Sequence, residues 1–205
     1  MKEEILNEIR RLGGNTDHVK GLSLKEDLAA ITFNHPLYGD DYADELYGAD
    51  KFYEENKQLY QDSKQDFYKK LIGHFFSDHE IPYGQAFFRN QLFTPFREGT
   101  FDFEEWNDMF IDKDEVDLTE IYKVSTDPKP DFMLITYDYG FPDHYYICLS
   151  DENQENPTVF GTDHEVFFSE VTNRGSLADF FKQFLSKDDF LKIVENYIEN
   201  EKTDK

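Results

Sequence analysis

The stretch Asp131-Phe-Met-Leu-Ile-Thr-Tyr-Asp-Tyr-Gly-Phe-Pro-Asp-His-Tyr-Tyr-Ile-Cys-Leu149 decides how the chain is read. Phe132 to Tyr139 is apolar, β-branched and aromatic, which predicts a strand. Asp138-Tyr-Gly-Phe-Pro-Asp143 supplies a turn, and His144 to Leu149 runs back as the partner strand. Downstream, Ser150 to Pro157 is polar and loop-like. Thr158-Val-Phe-Gly and Glu165-Val-Phe-Phe-Ser-Glu-Val read as two more strands joined by Thr162-Asp-His. Upstream, Thr119 to Ser125 reads as a short strand. Short connections between neighbouring strands favour an antiparallel meander.

Helical spacing frames this sheet. Ile5, Leu6, Ile9 and Leu12 predict a helix over 4–12, stopped by Gly13-Gly14. Ser23 is placed to cap a second helix running to Ala30. Residues 38–50 mix Tyr38, Tyr42, Leu46 and Tyr47 with five acids, as a loop or a loosely held helix. From Lys51 to Phe76 a wide apolar stripe predicts two helices, the second capped by Ser63 with Asp66 three residues on. Residues 81–100 are aromatic and broken by Pro and Gly. A helix over 102–115 is read around Phe103, Trp106, Met109 and Phe110, with Asp102 as its cap. Ser176-Leu-Ala-Asp179 and Ser186 start two closing helices. The fold class is α+β: an antiparallel sheet of about four to six strands, helices packed on one face, and a helical N-terminal half. The chain reads as one domain over 1–205, mostly helical over 1–117, with the sheet and closing helices over 118–200.

Charge sets the functional classes. The chain has 44 Asp and Glu against 21 Lys and Arg, a net charge of −23. Such a charge would suggest disorder, but 17% of the residues are aromatic, which argues for a packed body. An acidic field repels nucleic acid and anionic membranes and attracts basic surfaces. No segment has the clustered Lys and Arg that phosphate binding requires, so nucleic acid is not an expected partner. No apolar run approaches a membrane span, and acids occupy the place of a signal peptide's apolar region, so the expected home is the cytoplasm without membrane association. Cys148, the sole cysteine, lies in an apolar run and reads as a buried structural thiol.

Motifs for common chemistry are missing from the sequence: no phosphate-binding Gly-x-x-x-x-Gly-Lys, no Gly-x-Gly-x-x-Gly, no Gly-x-Ser-x-Gly. No cofactor is expected. No metal site is expected either. His74 and His79 are five apart, which does not share a helix face. Asp163-His164-Glu165, read as strand residues, point to alternate faces. Asp112 to Asp117 superficially resembles a calcium loop but lacks the central Gly and the closing Glu. The acidic run between Glu98 and Glu120, interleaved with Phe101, Phe103, Trp106 and Phe110, is either a solvated helix face or a docking surface with aromatic anchors in a charged rim.

The C-terminal half resembles the SUKH superfamily, a large group of mostly bacterial immunity proteins that includes a fungal regulator of cell-wall glucan synthesis. The resemblance covers about residues 118–186. It rests on the strand Asp131-Phe-Met-Leu-Ile-Thr-Tyr, the turn Asp138-Tyr-Gly-Phe-Pro-Asp143 and the strand Tyr145-Tyr-Ile-Cys-Leu. Asn156-Pro-Thr-Val-Phe with Asp163-His-Glu, and the capped helix Gly175-Ser-Leu-Ala-Asp-Phe-Phe-Lys-Gln-Phe-Leu, add to it. The N-terminal part departs from the short members of that group. The resemblance implies a non-enzymatic immunity protein that binds and neutralises a basic toxin protein, many such toxins being nucleases. The residues expected to contact it are Tyr137, Tyr139, Asp143, Tyr145, Asp163 and Glu165 beside the sheet turns, with Trp106 as a second candidate. Two rival readings are a regulatory scaffold linked to cell-wall synthesis and a hydrolase using carboxylates or His164.

Overall fold

The computed structural model describes all residues except 41–47, 78–79, 82–83, 88–90, 113–114 and 204–205. Most of the acidic stretch within 38–50, His79, and two residues of the calcium-loop-like run lie outside the described residues. The order of elements is α1 (Glu3–Arg11), α2 (Leu24–Ala30), α3 (Ala49–Glu55), α4 (Lys57–Asp62), α5 (Lys64–Phe75), β1 (Gln85–Phe87), β2 (Leu92–Phe93), α6 (Phe101–Ile111), β3 (Phe132–Asp138), β4 (His144–Cys148), β5 (Thr158–Thr162), β6 (Thr172–Ser176), α7 (Leu177–Lys182) and α8 (Lys187–Thr203). The fold is α+β, with an antiparallel sheet and a helical N-terminal half.

Serine caps set four helix starts. Ser23, Ser63, Ser176 and Ser186 each accept a hydrogen bond from the backbone N–H three residues on, at Glu26, Asp66, Asp179 and Asp189. Each cap satisfies one of the free N–H groups that a helix start exposes. In α1, Glu3 and Glu4 lie in the first turn and Arg10 and Arg11 in the last, as the helix dipole favours.

The sheet runs in the order β1-β3-β4-β5-β6, with β2 also paired to β3. β1 pairs with the far end of β3, from Gln85↔Asp138 to Phe87↔Thr136, and β2 with its start, from Leu92↔Met133 to Phe93↔Phe132. Together they form one divided edge. Two strands therefore come from the N-terminal part, which the sequence reads as mostly helical. They have three and two residues, too short to show an alternation.

Both faces of β3 are buried. Met133 and Ile135 pack with Ile5, Ile9, Leu28 and Phe181 of α1, α2 and α7. Phe132 and Leu134 face the other way, into Phe93, Phe110, Ile121, Tyr146, Phe160 and Phe168. The second face is covered by α6 and two 3₁₀ turns, in addition to the helices expected on the first. A third core is helical: Phe52, Tyr53 and Tyr60 of α3 and α4 meet Phe67, Leu71 and Phe75 of α5 and Phe190, Val194 and Ile198 of α8. Tyr38 ties it together. Its ring packs on Phe75, Phe76 and Phe190, and its hydroxyl donates to the Phe75 carbonyl at 2.6 Å. Cys148 is fully buried in the second sheet core.

Four local expectations change. The stretch Thr119 to Ser125 is a 3₁₀ turn over Ile121–Lys123, not a strand. Asp117 Oδ1 accepts the Thr119 N–H and starts the turn, which drops Ile121 into the core. Glu165 to Val171 is likewise a turn, with a 3₁₀ segment over Phe167–Ser169. The last strand follows it, Thr172-Asn-Arg-Gly-Ser176, an edge strand whose residues are mostly exposed. Thr100, not Asp102, caps α6 through the Phe103 N–H, while Asp102 accepts from the Thr94 N–H and hydroxyl. Asn56 also breaks the stretch before Ser63 into α3 and α4, giving three helices where two are read. No helix of the described residues is long and apolar enough to cross a membrane.

Phe168 is 1% exposed and stacks on Phe93 at 5.5 Å, with Phe132, Tyr146 and Phe110 all within 5.2 Å between ring centroids. Phe168→Ala is expected to cost about 3–5 kcal/mol in urea unfolding. Leu22→Ala, at a residue 67% exposed, should stay within about 0.5 kcal/mol. Equal midpoints for the two variants would remove the 3₁₀ segment from the second sheet core.

Candidate binding surface at one end of the sheet

The end of β3, the start of β4 and the end of β5 converge at one edge of the molecule. What they present there depends on a bulge. The β3–β4 register runs Leu134↔Tyr146 and then Thr136↔Tyr145, so Ile135 and Thr136 together oppose Tyr145. The shift turns Thr136 to the side of Tyr145 and brings Tyr137 opposite His144, on the side of Tyr146 and Phe167. Without it, Tyr137 would follow Met133 and Ile135 toward the α1 and α7 side. Gly140, with φ +91°, then makes the turn in a conformation that side chains disfavour, and the Asp138 N–H donates to the Asp143 carbonyl across it.

A strip of half-buried rings results. Tyr139 meets Tyr137 edge-on at 5.4 Å, and Tyr137 stacks on His144 at 6.2 Å. His144 meets Phe167 at 6.3 Å, and Phe167 lies 5.0 Å from Trp106 of α6. The structure thus joins Trp106 to the sheet-turn candidates as one surface, through Phe167 and His144, two residues the sequence reading does not single out. Phe167 holds a left-handed φ of +40°, unusual for a side-chain-bearing residue, and its N–H donates to the Asp163 carbonyl at 2.7 Å. His144 lies in the decisive stretch, but only the bulge shows which way it faces. Phe167 is read as a strand residue, so its ring has no predictable direction.

Carboxylates stand near one end of the strip: Asp143 is close enough to act on the His144 ring, and with Asp163 it also lines a small cavity together with Tyr145 and Arg174. Asp163 and Glu165 are exposed, and Asp143 is half-buried. Glu80 is close enough to add to the effect of burial in raising the phenol pKa of Tyr137 and Tyr139. Tyr145 does not belong to this surface. Its side chain faces the opposite core, packs on Phe180 at 5.3 Å under the Arg174 guanidinium, and donates its hydroxyl to Asp138 at 3.3 Å. It is 9% exposed, so it is a structural residue and not a contact residue. Alternation along β4 explains this: Tyr145 must point away from His144 and Tyr146.

Asp143 and His164 clamp the two turns together. Asp143 Oδ1 accepts from His164 Nδ1 at 2.8 Å and from the His164 backbone N–H at 3.2 Å. Asp163 Oδ1 lies 3.7 Å from the same ring nitrogen and accepts the Glu165 N–H at 2.7 Å. The residues Asp163 to Glu165 therefore form a turn, not alternating strand positions. Asp143, Asp163 and His164 bring ligand-type atoms within 4.8 Å of one another, the one such trio among the described residues. With Nδ1 facing both Asp143 and Asp163, a protonated ring would sit between two carboxylates.

The two histidines titrate in opposite directions. The Asp143 hydrogen bond, with Asp163 nearby, raises the His164 pKa above its ordinary 6.5. Burial lowers that of His144, whose Nδ1 is buried without a hydrogen-bond partner. The clamp is therefore fully charged below pH 6.5 and is lost as pH rises through the folded-state value of His164. His144 contributes the other way: its neutral packing is present above 6.5 and is lost as pH falls through its lowered value. In a proton-NMR titration, His164 should titrate above 6.5 and His144 below it, and Asp143→Asn should bring His164 back down. Overlapping curves for the two rings would show that the turns are not clamped.

Compared with known proteins, the chain matches no family model, no curated protein and no solved structure.

Proposed function

We propose that this chain is a non-enzymatic binding protein that captures a basic protein through the aromatic strip, and that it works as a cytoplasmic immunity protein of the SUKH type, neutralising a toxin domain. The observation that carries this reading is the strip itself: Tyr139, Tyr137, His144, Phe167 and Trp106 in successive ring contact, with Asp143, Asp163 and Glu165 in the turns at one end of it. Half-buried rings give large contact area at little entropic cost, and they accept Lys and Arg on their faces. Carboxylates around them orient a cationic partner and reject an anionic one.

The net charge of −23 adds speed. Opposed fields steer association toward ~10⁸–10⁹ M⁻¹s⁻¹ at low salt, and rapid capture matters when a toxin acts inside the cell. A nuclease presents a basic face to its substrate, and an acidic protein seated on that face would block the substrate by occupying its place.

The test is co-expression with the product of the neighbouring open reading frame, followed by co-purification and calorimetry across a salt series. The complex should weaken as salt rises. Glu165→Lys should cost about tenfold in affinity at low salt and flatten the salt dependence, a rim-charge effect felt mainly in the association rate. Tyr139→Ala should weaken binding at high salt as well, because the contact it removes is not screened. A complex indifferent to both substitutions would place the toxin elsewhere on the molecule.

A further inference from the structure

His35 is a half-buried titratable group that the binding surface does not use. Its ring lies where three parts of the fold meet. Phe33, which packs on the first sheet core, meets it edge-on at 6.1 Å. Phe76, which packs on the helical core, meets it edge-on at 5.4 Å. The third wall is the end of α1. A Cβ on Gly13 would stand 2.9 Å from His35 Nε2, and one on Gly14 would stand 2.6 Å from the Phe33 ring. The glycine pair that stops α1 therefore also lets the chain close on these two rings.

The two ring nitrogens are unequal. Nδ1 lies 2.9 Å from the Pro36 carbonyl, which can only accept, so Nδ1 carries the proton of the neutral ring. Nε2 is buried without a hydrogen-bond partner. A second proton would have to sit there, as a buried donor with nothing to receive it. The surrounding charges do not offset this. Lys187, at the start of α8, stands 5.5 Å over the Phe76 ring and repels a charge on His35. Arg10 and Arg11 of α1 pair with Glu3 and Glu8, and the His74 ring of α5 lies on Phe52 and Phe75. On the open side, a cavity of about 290 Å³ adds Asn34 and Tyr139. Burial raises the Tyr139 pKa, so this phenol is neutral as well.

We propose that His35 is an acid-sensitive lock between the sheet body and the helical core: neutral, it lets Gly13, Phe33 and Phe76 close around it, and protonated, it opens that joint. Two backbone hydrogen bonds bridge the same joint, from the Asp40 N–H to the Gln183 carbonyl and from the Leu185 N–H to the Tyr38 carbonyl, each 2.7 Å. Opening would release them. Burial, with Lys187 adding to it, holds the His35 pKa below its ordinary 6.5. The lock is therefore present above pH 6.5 and is lost as pH falls through the lowered folded-state value. It acts whatever the chain binds.

The test is amide hydrogen exchange followed by NMR between about pH 7.5 and 5, expressed as protection factors corrected for the intrinsic rate. Protection of the Asp40 and Leu185 amides should fall about tenfold, through an opening from which the β3 and β4 amides stay protected. His35→Phe keeps a ring, removes the site of protonation and should abolish the fall. Lys187 is exposed, and Lys187→Glu puts a carboxylate where the repulsion comes from. That variant should shrink the fall to less than about threefold. His144→Phe removes the other buried histidine and should leave the fall at the joint as it is. No fall in the parent chain, a fall that survives Lys187→Glu, a fall that His144→Phe abolishes, or one common protection for joint and sheet amides would each overturn the lock. If His35→Phe does not fold, Lys187→Glu decides.

Discussion

Phe132 and Leu134 on one side of β3, and Met133 and Ile135 on the other, leave this strand no solvent face along most of its length. An antiparallel sheet can leave one face wet, so two-sided burial is a demand placed on the rest of the chain. α1, α2 and α7 meet it on one side. α6 and the turns carrying Ile121 and Phe168 meet it on the other. The aromatic content is largely the means. Each ring buried with good edge or offset contacts contributes more than its area alone. The helical core around Tyr38, built from α3, α4, α5 and α8, uses the same chemistry away from the sheet.

The acidity has a shorter reach than the net charge suggests. At physiological ionic strength the field of an exposed charge fades over about 8 Å. Contact energy with a partner is therefore set by the carboxylates that stand at the contact. Several cations are committed to acids of their own or a neighbouring helix: Lys57 pairs with Glu54, Lys182 with Glu4 and Asp179, and Lys192 with Asp189. Such exposed pairs add little stability, but they localise positive charge away from the sheet end. In the proposed complex the total of −23 would act on encounter, and Asp143, Asp163 and Glu165 on the fit.

What the sequence shows follows the length and polarity of each element. β3, β4 and β5 are apolar runs between turn residues, and the serine caps at Ser23, Ser63, Ser176 and Ser186 carry an acid three residues on, so all of these are legible. β1 and β2 are too short to show a period. β6 is Thr-Asn-Arg-Gly-Ser, an edge strand with no apolar residue to betray it. The two 3₁₀ turns resemble strands in sequence because Ile121, Phe167 and Phe168 are apolar. Their conformation comes from Asx-type hydrogen bonds at Asp117 and Asp163, which periodicity does not register. At the candidate surface, residue types were legible and directions were not. Tyr145 points into the first sheet core by alternation along β4, and Tyr137 points away from that core because of one extra residue in β3.

That extra residue separates two evolutionary problems. Upstream of the bulge, β3 answers to the cores, and a changed side chain there is paid for in stability. Downstream, Tyr137 and Tyr139 stand in a different phase from the strand that carries them, and both are half-buried, outside the three cores. Substitutions at these two rings can therefore be sampled more freely than those at Phe168 or upstream in β3, while the scaffold stays fixed. On the proposed reading, a lineage whose opponent keeps altering its surface gains from that arrangement: the rings at the sheet end can change from one adversary to the next, while the sheet that displays them does not have to be reinvented.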